Sequence, residues 1–255
     1  MFKERLAIRR GAWTKPTCGL APSYIQANLV IVPYMNAYDF LLFCMRNPKS
    51  CPVIEVTDQG SYTPEVFAPD ADLRTDVPKY HIYRYGEWTD EKIDIKEEWR
   101  NDFVSFLIGC SLTFENALMS QGIPMRHIEN EQNVSMYQTN IPCKGAGKFH
   151  GNLVVSMRPI RVDRVADAIR ITANYPSMHG SPIQVGYPER LGIKNIKSPD
   201  YGDPVEIKED EIPVFWACGV TPQFVAQQSK IEMMITHAPG HMFITNRLDS
   251  EIEDY

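Results

Sequence analysis

The sequence has no apolar run approaching the roughly 20 residues that span a bilayer as a helix. It has no basic stripe either. Net charge is −6, and the Lys and Arg residues are scattered, so the phosphate neutralisation that a duplex-binding surface needs is missing. No C-x-x-C pair occurs among the six cysteines, and no Cys/His spacing suits structural zinc, so no metal site is expected. Gly145-Ala146-Gly147-Lys148 lacks full phosphate-loop spacing, and no G-x-G-x-x-G follows a strand. These absences leave no nucleotide-cofactor signal, and the cofactor stays open. The charged start, FKERLAIRRGAW, has no apolar core of the secretory kind, so the expectation is a cytoplasmic protein with reduced cysteines. Neither nucleic acid nor membrane is expected as a partner. A small carboxylate is, and a homo-oligomer is allowed.

What is present is ordinary globular material. Apolar residues make up 44% and charged residues 23% of 255, enough to build a real core. Residues 2–10 read as an amphipathic helix, 27–32 as a strand and 36–46 as a helix stopped by Asn47-Pro48. A strand is expected at 53–57, and a hairpin turns around Gly86. Residues 94–120 read as mostly helical, interrupted at Gly109-Cys110-Ser111. A strand at 153–157, ended by Pro159, precedes a helix over 162–173. Short strands follow at 183–185, 205–207 and 214–217, then a helix from Thr221-Pro222 to Ser229, and strands at 233–236 and 242–245. The alternation implies an α/β fold with two lobes. The main three-layer lobe takes 1–150 plus 206–255, and a smaller two-layer β-α-β lobe, 151–205, is inserted.

A faint internal echo runs through the chain. Gly109-Cys110-Ser111-Leu112-Thr113 repeats the pattern of Ala217-Cys218-Gly219-Val220-Thr221. Thr139-Asn140-Ile141-Pro142 resembles Thr236-His237-Ala238-Pro239. Duplication is one reading; patterns this short also arise by chance.

The same segments hold the candidate chemistry. A strand running into a turn with Thr221 as N-cap and Pro222 at N1 presents free N–H groups and the positive end of a helix, a carboxylate site. Cys218 and Gly219 lie in that turn, and Cys110, Ser111 and Thr113 lie in its echo. Either cysteine could be a nucleophile or a buried small hydrophobe. Glu115 is a general base or a first-turn acid that suits the helix dipole. His237 and His241 flank a Pro-Gly turn that forbids helical metal geometry, so they suit proton transfer or a structural role. Arg158, at the end of an apolar strand, can grip a carboxylate in bidentate fashion or pair with an acid. Tyr137 and Asn140, in a turn-rich loop, can add neutral hydrogen bonds.

Taken together, the ordered segments resemble the D-glutamate cyclase family, whose bacterial members carry provisional hydro-lyase names. The resemblance rests on Gly19 to Pro22, Gln26 to Leu29, Asp39 to Cys44 with Arg46-Asn47-Pro48, and Asp72 to Asp76. It continues through Gly109 to Glu115, Arg126-His127-Ile128, Asn133 to Asn140, Val154 to Pro159, Phe215 to Gln223 and Thr236 to Phe243. It implies a two-lobed α/β fold and, from a larger animal relative, conversion of D-glutamate to 5-oxo-D-proline and water. In that reading Arg158 anchors the α-carboxylate, His237 and His241 handle protons with Glu115 as the alternative base, and the two cysteine turns hold the reacting carboxyl. Two other readings stand beside it: a cysteine-nucleophile acyl or amide enzyme, and a non-enzymatic binder of oxoproline-like carboxylates.

Overall fold

The structure, a computed structural model, describes residues 3–254, so residue 2 of the expected first helix lies outside the described residues. Two antiparallel sheets form the frame. In the first, β1 (Tyr24–Pro33) lies between β5 (Phe103–Gly109) and β10 (Met233–His237). Strand β2 (Val53–Val56) extends it beyond β5, and the hairpin β3 (Tyr80–Arg84) and β4 (Glu87–Lys92) extends it beyond β10. Strand β11 (Phe243–Leu248) pairs with the start of β1. The second sheet runs β6 (Ser135–Pro142), β7 (Asn152–Arg161), β9 (Glu211–Ala217) and β8 (Gln184–Val185). The helices are α1 (Lys3–Arg9), α2 (Tyr34–Arg46), α3 (Leu112–Ser120), α4 (Arg126–Glu129), α5 (Val165–Ala173) and α6 (Thr221–Ser229). Among the described residues no helix is long and apolar enough to cross a membrane.

This is an α/β fold, and its second sheet takes β6 and β9 from outside the expected 151–205 insert. Three local expectations give way. Residues 103–109 form a central strand rather than a helix. Their unbroken burial removes the period that separates a buried strand from a helix. Residues 205–207 form no strand. Pro159 does not end β7 but continues it, facing Pro213 in register. The carbonyl of Pro213 accepts the Gly186 N–H at 2.7 Å on the other side, so this pair needs no N–H from either proline.

The two sheets are built from a repeated unit. The order β2-β5-β1-β10 in one matches β8-β9-β7-β6 in the other. Chain order matches too: β1-α2-β2-β5-α3-β6 is followed by β7-α5-β8-β9-α6-β10. Strands β1 and β7 each have 10 residues, β5 and β9 each have 7, and α3 and α6 each have 9. Ala27 faces Gly109 as Val155 faces Ala217. Each unit gives its last strand to the other's sheet. The short echo around the two cysteines thus marks a repeated fold, with the hairpin β3–β4 and helix α4 as insertions in the first unit.

The core follows from this frame. Phe40 and Phe43 of α2 meet Phe106 and Phe149 on one face of the first sheet, with Phe40 and Phe106 edge to face at 4.9 Å. Phe114 of α3 and Trp216 of β9 pack in the layer between α3, α5 and the sheets.

Candidate functional site

The strand-to-helix turns of the two units meet. Cys110, Leu112, Cys218, Val220 and Met242 share one buried cluster with Val134, Met136 and Val154, and half-buried Cys18, Tyr201 and Phe224 pack against it. Both helices α3 and α6 therefore begin at the same place. Each turn is closed alike: Thr113 N–H binds Cys110 O at 3.1 Å, and Thr221 N–H binds Cys218 O at 3.0 Å. Each threonine hydroxyl locks its helix to the neighbouring strand, accepting Gln26 N–H in one unit and Val154 N–H in the other, both at 3.1 Å. The turn before β11 adjoins this cluster. Asn133 Nδ2 donates to Pro239 O at 3.1 Å, and Thr17 N–H donates to Gly240 O at 2.8 Å.

The two turns differ in charge. Ser111 faces Ser156, with 3.5 Å between their hydroxyl oxygens, and both accept from Arg158. The buried guanidinium also donates from Nε (2.8 Å) and Nη2 to Glu115 Oε1. His127 Nε2 lies 3.1 Å from the same oxygen. Burial works to raise the Glu115 carboxyl, but His127 and Arg158 outweigh it and hold it below the usual carboxylate range. At the second turn Gly219 replaces Ser111, and Asn28 of β1 replaces Ser156. Asn28 Nδ2 donates to Gly109 O at 2.7 Å and occupies the space a Gly219 side chain would fill. Gln223 stands where Glu115 does; its Nε2 donates to His237 O at 2.7 Å, and its buried Oε1 has no partner. One turn is thus ionic, and the other is neutral with Gln223 Oε1 unpaired.

His237 is fully buried, with Nδ1 at 3.2 Å from both Leu29 N and Leu29 O and with Nε2 unpartnered. Burial pushes its imidazole down to about 3, so it is neutral near pH 7. His241 is half-buried, and its Nδ1 lies 2.9 Å from Pro239 O. With Nδ1–H donating there, Nε2 is an acceptor. The three cysteines of the cluster are thiols: burial raises Cys110 well above its ordinary value, Cys218 to about 11 and Cys18 to about 12. That works against a thiolate nucleophile.

Comparison with known proteins fits this frame. Residues 104–246 match the family model described as D-glutamate cyclase. The chain belongs to the D-glutamate cyclase family. A protein of Geobacillus kaustophilus is 57% identical over 98% of this chain and 95% of its own length. One of Rubrobacter xylanophilus is also 57% identical, over 98% and 97%. One of Stutzerimonas stutzeri is 55% identical, over 98% and 94%. All three carry provisional hydro-lyase names. A nitrogen repressor-like protein of Methanococcus jannaschii aligns over 95% of this chain and 98% of its own at a TM-score of 0.41 and 8% identity, too weak to carry an argument.

In this member of the family the turns that hold Cys110, Ser111, Thr113, Cys218, Gly219 and Thr221 meet, but several roles differ from those expected. Thr221 is the first helical residue rather than the cap, and its hydroxyl is spent on the strand and on Cys218 O. Thr113 is likewise committed to Gln26. Arg158 is no open clamp, since its interior partners leave a single N–H on Nη1. Glu115 is an ion-paired carboxylate rather than a ready base. Tyr137 points to the opposite face of the second sheet, where its hydroxyl donates to Ile196 O at 2.6 Å, because successive strand residues alternate. Asn140 is exposed at the end of β6. Sequence reasoning missed Asn28, Ser156 and Gln223. A lone Asn within Ala27 to Val32, and a Ser two residues before Arg158 on the same strand face, were the available signals.

Proposed function

We propose that the chain removes water from a small amino or carboxylic acid and, in the finer form, cyclises D-glutamate to 5-oxo-D-proline. The observation that supports this is the meeting of the α3 and α6 N-termini at one buried cluster beside a neutral, unsaturated polar turn. Ring closure requires the substrate amine to shed a proton and attack the side-chain carboxyl carbon. An oxygen of that carboxyl must then accept protons and leave as water. Holding the two ends together supplies several kcal/mol, on the order of what intramolecular reactions show. Two helix N-termini favour the negative charge that develops on the tetrahedral oxygen. His241, with Nε2 open, is the proton carrier in this reading. His237 and Gln223 supply neutral hydrogen bonds, and the Arg158–Glu115 pair fixes the Ser111 turn from behind.

The test is incubation of purified protein with D-glutamate and L-glutamate, read by mass spectrometry for loss of one water. D-glutamate should be converted, and His241→Gln should lower kcat at least about tenfold with KM nearly unchanged. No water loss from either enantiomer would discard the cyclase reading. Full activity in the variant would remove His241 from it.

A further inference from the structure

A pocket lies where the end of α2 meets the β6–β7 connection. Its volume is about 230 Å³, below the roughly 300 Å³ at which drug-sized sites begin. Arg46 and Lys49 stand at its exposed edge, and buried Ser50, Leu153 and Ala217 line it within, with half-buried Ile183 on the wall. No carboxylate lines it. Both cations bind only neutral carbonyls: Arg46 Nη1 donates to Gly145 O at 2.6 Å, and Lys49 Nζ donates to His179 O at 3.2 Å. Among the described residues neither makes an ion pair with a carboxylate. Two cations on the rim of an apolar-walled hollow that no carboxylate lines suit an anion from outside.

We propose that this pocket binds a small aliphatic carboxylate that carries no ammonium group. The two cations attract the carboxylate, Leu153, Ile183 and Ala217 take a short hydrocarbon portion, and the absence of any acidic wall leaves an ammonium without a partner. Oxoproline, the product of the reaction proposed above, has the required chemistry; that link rests on the reaction, whereas the pocket does not.

The experiment is an NMR titration of labelled full-length protein with glutarate as the probe, followed at the amides of Lys49, Ser50, Cys143 and Ile183. Saturable shifts at these amides are expected, and Lys49→Met and Arg46→Gln should each weaken binding at least about tenfold. D-glutamate, which carries an ammonium, should bind more weakly at the same amides. Unmoved amides, equal affinity in both variants, or D-glutamate binding there as tightly as glutarate would overturn the proposal. Turnover of D-glutamate measured on the same sample keeps the two ideas separate, since conversion with silent amides would discard the pocket alone.

Discussion

At the scale of single residues, the interior depends on histidines that stay neutral. His237 and His179 are both fully enclosed, with imidazoles pushed by burial down to about 3 and about 4. His179 is held by mutual contacts with Lys49, Nδ1 to Lys49 O at 2.9 Å, and its Nε2 has no partner. In the unfolded chain both rings titrate near about 6.5. Between the two values the unfolded state binds more protons, so stability is fully present above about pH 6.5 and falls as pH drops toward 3. Each group contributes about 1.4 kcal/mol per pH unit through that window, or about 2 kcal/mol each between pH 6.5 and 5. Urea unfolding at pH 7 and pH 5 should therefore differ by about 4 kcal/mol, a span in which ordinary carboxylates add little. His237→Phe should lessen that difference, and a flat profile from pH 7 to 5 would show that these rings are not buried and neutral.

At the scale of elements, the turn before α6 is shaped by what Gly219 lacks. A Cβ there would sit 2.0 Å from Asn28 Nδ2, so Gly219→Ala must displace the amide that binds Ile108 O and Gly109 O. The expected cost is about 2 kcal/mol, from overpacking and lost hydrogen bonds. Asn28→Ala should relieve the clash, giving a favourable coupling of about 1 kcal/mol in a double-mutant cycle followed by denaturation. Strictly additive losses would mean the two residues do not touch. Gly109→Ala offers no such rescue, because its Cβ would meet the Ser177 backbone carbonyl at 1.8 Å. The equivalent position in the first unit tolerates Ser111 because its partner is the small Ser156. These contrasts also show what the sequence could reveal. The turns at Cys110 and Cys218 were legible because small residues beside a helix start leave local marks, although Thr221, read as the cap, is the first helical residue. The partners Asn28, Ser156 and Gln223 were not, because their roles arise from contacts across long stretches of chain. Strand β5 was hidden because burial on both faces leaves no period, and β6, which carries Tyr137, was read as part of a turn-rich loop.

At the scale of the whole molecule, the repeated unit explains why the two cysteine turns meet between the halves and why neither half is complete. Strand β6 leaves the first unit to pair with β7, Ser135 facing Met157 and Tyr137 facing Val155. Strand β10 leaves the second to pair with β1, Val30 facing Thr236. The first sheet therefore lacks β10 and β11, and the second lacks β6, until the other half of the chain is present. The cluster of Cys110 with Cys218 is likewise absent from either half alone. Non-local pairing of this kind closes long loops before any sheet is complete. A break in the connection between β6 and β7, giving fragments 1–146 and 147–255, should leave each fragment without cooperative unfolding. Co-expression should restore a one-to-one complex with the circular dichroism of the intact chain, because no strand is cut. A sharp thermal transition in either isolated fragment would mean that the exchanged strands are not what completes the two sheets.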